Sequence, residues 1–223
     1  MPKGFYTDDR GRVRVRSAAG GGRRSRSALM AGLIALSAVG YGGAVGLSAG
    51  GAAGGGGPGL GVEQRKEESG ELARLGDADA AWRRMGLRGL KRTEKQHAAC
   101  EDASFGGVRE FLRRHGCASV DRVLFIVGDD VGNSAVIAVA WVGFGSRGDA
   151  RAFQDLVDAA GTGDVKALGA AQVGLPDVAF TGANYGSERD RTTVAVAEAE
   201  VATGYVTPEV LDALAEVAAR LPR

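Results

Sequence analysis

The chain has 223 residues, with 28 Lys+Arg, 27 Asp+Glu, 37 Gly, 2 Cys and 2 His. Two histidines and two cysteines exclude multi-metal centres, haem relays and a disulfide-dense scaffold. The net charge of +1 conceals a very uneven distribution along the chain.

Residues 1–27 carry eight basic side chains (Lys3, Arg10, Arg12, Arg14, Arg16, Arg23, Arg24 and Arg26) against Asp8 and Asp9 alone. Residues 27–62 contain no charge, and residues 63–223 hold 20 basic and 25 acidic groups. A basic arm, an uncharged apolar stretch and an acidic remainder, in that order, form a membrane-topology signal. We expect 1–27 to be a disordered cytoplasmic arm and 28–53 to be a transmembrane helix or signal anchor. Residues 28–39 are strongly apolar, and 28–49 reach the roughly 20 residues that a bilayer core requires.

Gly42, Gly46 and Gly50 make a small-residue stripe through which two helices could approach, although general glycine enrichment accounts for it equally. The alternative for this stretch is a cleaved signal peptide, with Gly51-Ala52-Ala53 as a small-residue cleavage region. Both readings export the remainder of the chain. A soluble, nucleic-acid-binding Arg/Gly tail would not keep residues 28–39 solvated, so no nucleic-acid partner is expected.

Residues 54–96 read as a linker and stalk. Gly54 to Gly57, Pro58 and Gly59 cannot pack or hold a helix. The charged stretch beyond is helix-favouring but interrupted by Gly70, Gly76, Gly86 and Gly89. Its apolar residues, Trp82 and Met85 among them, look too sparse for a core. The cluster Arg83, Arg84, Arg88, Lys91 and Arg92 reads as a solvated face, or as contact with an acidic surface polymer.

An exported domain is expected over 97–223. Residues 104–116 have Val108, Phe111 and Leu112 at helical spacing and a terminal Gly. Residues 122–127 and 134–144 form a hairpin around a Gly/Asp/Asn turn, and 149–159 form a helix with Phe153 and Leu156 on one face. A second hairpin is expected from 178–181 and 192–201 around Gly186 to Asp190. Thr207-Pro208-Glu209 then starts a last helix. Phe153, Leu156 and Ala160 match Leu211, Leu214 and Ala218 at one offset, which also relates Val136 to Val194.

The expected fold class is therefore α+β: an introductory helix, then two tandem ββα units sharing one antiparallel four-stranded sheet with helices on one face. The other face would be free, with Trp141, Glu198 and Glu200 as a possible interaction face for a homodimer or an envelope protein.

Cys100 and Cys117 bracket the first helix. Export favours a disulfide, provided the chain folds back along a helix about 16 Å long. Zinc held by His97, Cys100, His115 and Cys117 is the alternative. Gly143-Phe-Gly-Ser-Arg-Gly148 has the spacing of a dinucleotide loop, but it follows a hairpin arm, and Asp149 would repel a pyrophosphate. Arg147-Gly148-Asp149 spells an adhesion tripeptide that chance explains. Asp129 and Asp130 read as a polar turn, and Glu198 and Glu200 as partners for Arg189 or Arg191. No catalytic, metal or cofactor set is assigned.

The Ala/Gly richness, the Arg-over-Lys bias and the layout CEDASFGGVREFLRRHGCASVDRVLFIVGDD…GNSAVIAVAWV…FTGANYGSERDRTTVAVAEAE resemble uncharacterised single-pass membrane proteins of high-GC actinobacteria. That resemblance covers residues 100–223. It implies an extracytoplasmic domain acting in binding or assembly at the cell envelope, or a secreted ligand-binding domain or enzyme if the leader is cleaved. It carries no functional residue.

Overall fold

A computed structural model describes residues 5–7, 13–15 and 61–223. The chain divides into two units, Met1–Gly51 and Ala52–Arg223. In the first, β1 (Phe5–Thr7) pairs antiparallel with β2 (Val13–Val15). Part of the arm expected to be disordered thus forms a short ladder. The expected membrane segment, 28–53, lies outside the described residues. Among those described, no helix is long and apolar enough to cross a membrane.

The second unit is α+β, built on an antiparallel six-stranded sheet. Its hub is β5 (Ser119–Gly128) paired with β6 (Ser134–Gly143), which pairs in turn with β8 (Thr193–Thr203). The runs Val123-Leu-Phe-Ile-Val127 and Val136-Ile-Ala-Val-Ala-Trp-Val142 are β-branched and aromatic, which suits a pleated surface buried on both sides. Every residue of β6 is buried. Helices must therefore cover both faces, and this is where the structure departs from the expected one-sided layer.

Strand alternation sorts the two faces. Odd-numbered residues (Phe125, Ile137, Val139, Ala197) pack with α1 (Val62–Arg74), α2 (Ala78–Arg84) and α5 (Pro208–Ala219). Even-numbered residues (Val120, Val142, Val194) pack with α3 (Gly106–His115) and α4 (Arg147–Val157). Farther along that second face, Leu124, Val136 and Ala138 lie under Leu168 and Val173, the latter in a 3-10 turn, Ala170–Val173. The matching offset between the α4 and α5 sequences is real, yet the two helices stand on opposite faces of the sheet.

Helix starts follow local chemistry. Ser146 caps α4 by accepting from the Asp149 amide at 3.1 Å, and Thr207 caps α5 with Pro208 at its first position. Ser104 does not cap α3. Its hydroxyl donates instead to the Cys100 and Glu101 carbonyls.

The residues expected to form a stalk belong to the fold. Trp82, 1% exposed, meets Phe125 edge-on at 5.8 Å between ring centroids, and Met85 is buried beside it. Helix α1 runs through Gly70 without a break, and the glycine makes room for the Arg220 side chain at the C-cap of α5, which lies where a Cβ would stand. After α2, β3 (Arg88–Arg92) and β4 (Gln96–Ala98) both pair with β5, at its two ends. Trp82 and Met85, with Leu72 and Leu87 packed beside them, suffice here because the sheet supplies the other half of their contacts.

The second hairpin also differs from expectation. Residues 185–190 are themselves β7 (Tyr185–Asp190), the edge strand beside β8, and 178–181 are not a strand. Gly186 is in mid-strand because α5 backbone comes so close. A Cβ there would stand 2.6 Å from the Glu216 Cα.

Cys100 and Cys117 form a disulfide with Cα atoms 6.1 Å apart. The bridge does not span the helix end to end. Residue Ala98 of β4 pairs with Val120 of β5, so the cysteines sit at the base of a β stem that brings both ends of the α3 excursion together. Closing such a loop stabilises a fold by about 3 kcal/mol on the chain-entropy view. With both sulfurs in this bond, neither is free to ligate zinc.

Trp82→Ala is expected to cost about 3–5 kcal/mol in denaturant unfolding, whereas an exposed stalk would lose almost nothing. Gly186→Ala should cost about 1–3 kcal/mol through overpacking against α5.

Candidate functional site

The interaction face expected from sequence does not exist as one surface. Trp141 sits opposite Asp121 and Ala195 on the odd-numbered side of the sheet. It is 2% exposed, and its indole N–H donates to the Leu221 carbonyl at 2.8 Å. Glu198 is paired with Ala138 on the other side. Residue parity along antiparallel neighbours separates the tryptophan from the two glutamates.

Both glutamates hold a loop. The Gly182 amide donates to Glu198 at 2.6 Å, and the Thr181 amide and hydroxyl donate to Glu200 at 3.0 and 2.6 Å. These charge-assisted bonds lay residues 178–182 along the sheet, with Val178 and Phe180 against the Leu124/Val136 cluster. A carboxylate facing an apolar layer was the sequence signal for this clamp.

The remaining sequence motifs resolve into local structure. In the 143–148 glycine loop, Ser146 and Asp149 bond reciprocally, with the Ser146 hydroxyl donating to the Asp149 carboxylate at 2.6 Å. The flanking strands are antiparallel, so this is a strand-to-helix cap and not a dinucleotide cradle. Arg147-Gly148-Asp149 is the first turn of α4. Asp129 accepts from the Asn133 side chain at 2.8 Å and from the amides of Asn133 and Val131. These bonds, led by the Asn133 side chain, hold its carboxyl below the usual carboxylate range.

Two polar clusters were not legible in advance. The buried carboxylate of Asp121 takes His97 Nδ1 from β4 and Arg223 Nε from beyond α5. A buried charge needs such partners, and this pair ties the chain's last residues to the sheet. The His97 side chain is itself 78% exposed. On the far edge, Tyr185 and Ser187 of β7 donate to Asp158 at 3.1 and 2.7 Å, and Gln154 links Ser187 to Arg189. Burial, then the charges of Asp164 and Asp158, push the Tyr185 phenol above its usual range. Both clusters bind element to element. Among the described residues, no group of three or more His, Cys, Asp or Glu side chains could hold a metal ion.

The surface feature of a different kind is the β3 edge. All five of its residues are exposed, and it ends the sheet order. Between residues 83 and 97 the chain carries Arg83, Arg84, Arg88, Lys91, Arg92 and Lys95 against Glu94 alone. Arg84 is engaged by Glu68, Arg88 lies 3.4 Å from exposed Asp130, and the Arg92 guanidinium stands 5.0 Å over Phe125. Lys95 stands 5.2 Å over Trp141. A register shift falls between Gly89 and Lys91, and Leu90 at that point is 50% exposed among these cations, with its Cδ1 lying over Gly128.

No family model matches the chain, and no curated protein or solved structure matches it either.

If Glu198 and Glu200 act as loop clamps, Glu198→Ala should destabilise the fold by about 2 kcal/mol. It should also speed hydrogen exchange at Gly182, as Glu200→Ala should at Thr181. Unchanged exchange at those amides would contradict the clamp.

Proposed function

We propose that this chain is a single-pass, membrane-anchored protein whose α+β body lies outside the cytoplasm and works by binding or assembly at the cell envelope. The observation that carries this reading is the Cys100–Cys117 disulfide. A lone bridge at the base of a β stem persists in an oxidising compartment and is kept reduced in most cytosols.

The charge order along the chain supports the same conclusion. Eight basic residues in 1–27 would keep the leader on the cytoplasmic side, and the uncharged stretch 27–62 supplies the apolar length for a crossing. In this reading the tether is short. The folded body starts at α1, so only the glycine-rich residues 54–60 separate it from the anchor. The cleaved alternative differs only in whether the leader, residues 1–53, stays attached.

The clusters at Asp121 and Asp158 join elements to one another. The exposed and chemically distinctive surface is the cationic β3 edge, and this favours binding over catalysis.

Protease added outside intact cells should digest the body while a cytoplasmic control protein survives. Intact mass should rise by two hydrogens on reduction. A shortened chain free in the medium would select the secreted form. A full-length chain in the soluble cytosol, protected from protease and with both thiols free, would contradict export.

A further inference from the structure

We propose that the β3 edge docks the body onto an anionic bilayer surface, with lipid phosphates met by Arg83, Arg88, Lys91 and Arg92. This inference rests on the anchored reading above and names the partner of the exposed edge.

Shape and charge agree in this edge. Strand β3 is exposed along its whole length and terminates the sheet. Its register places Arg88 with Gly128 and Lys91 with Ile126 on one side, and Arg92 with Phe125 on the other. The cations therefore straddle the strand and present themselves edge-on to a plane. Half-exposed Leu90 lies among them as an aliphatic group that can enter the headgroup region. Like charges along an open edge also oppose pairing with β3 of a second copy, which disfavours a homodimer built there.

The tether brings this edge to a membrane. The first turn of α1 is fixed to the end of α2, because Arg65 Nη1 donates to the Met85 carbonyl at 3.2 Å, and α2 leads within a few residues into β3. Residues 54–60 are seven in number, and such a chain reaches at most about 25 Å when fully extended. With 28–53 in the bilayer, the body is confined near the lipid. Each Lys or Arg near an anionic surface multiplies the docked population by about fivefold. Several acting together outweigh the small orientational entropy left to a body on so short a leash.

The test uses the full chain reconstituted into two vesicle types, one of pure phosphatidylcholine and one with about three-tenths phosphatidylglycerol. Flotation after an alkaline wash reads the anchor. Hydrogen exchange of peptides covering 83–97 reads docking, with β8 (193–203) as the folding control. The expected result is flotation with both vesicles and exchange of 83–97 slowed about tenfold or more only on the anionic ones. About 0.5 M salt should reverse the slowing, since screening then acts within a few ångströms. The pair Lys91→Glu and Arg92→Glu should abolish it without changing β8. Equal exchange on both lipids, with flotation intact, would overturn docking and leave the anchor standing. So would slowing that appears only on adding soluble polyglutamate, which would identify an acidic polymer as the partner. Loss from both vesicles in the alkaline wash would overturn the anchor and docking together.

Discussion

Every residue of β6 is buried, and the rest of the body is arranged around that constraint. A central strand with two apolar faces cannot be covered by one helical layer. Helices α3 and α4 cover one side, together with the loop that carries the 3-10 turn. The other side needs α5, and α5 alone is one helix wide. Helices α1 and α2 complete that layer, with Trp82 and Met85 as their contribution to it. The sheet, in recruiting residues 62–92, makes them part of the folded body.

That arrangement links the core to the surface. Once α1 and α2 are packed, β3 must come immediately after them, and it can join the sheet only at the outer side of β5. It becomes an edge strand with one row of backbone groups unpaired. Lys and Arg residues on such an edge guard it against adventitious strand pairing, and here they also create a concentrated positive strip. The disulfide acts at the other end of β5, where β4 and β5 form the stem that brings Cys100 to Cys117. One strand, β5, thus organises both the cationic edge and the covalent staple.

Much of this was legible from local chemistry. Helices α3, α4 and α5 follow from apolar residues at helical spacing and, for α5, from Thr207-Pro208-Glu209. The β5/β6 hairpin follows from two β-branched runs around a Gly/Asp/Asn turn. The features that escaped depended on partners distant in sequence. Residues 185–190 look like a turn because an edge strand needs few apolar residues and because Gly186 answers to the α5 backbone, which no local pattern reveals. Trp82 looked isolated because Phe125, its contact, lies more than forty residues away. Without the register, Trp141, Glu198 and Glu200 read as one exposed face of strands 134–144 and 192–201, whereas the register sends the tryptophan and the glutamates to opposite faces. A helical layer is invisible from one of its helices alone.

The most direct measurement of the central claim is the redox state of Cys100 and Cys117 in living cells, trapped by rapid acid quenching and alkylation before lysis. The account predicts a membrane-bound chain in which neither cysteine takes the label until reductant is added. A chain labelled at both cysteines without reductant would contradict it.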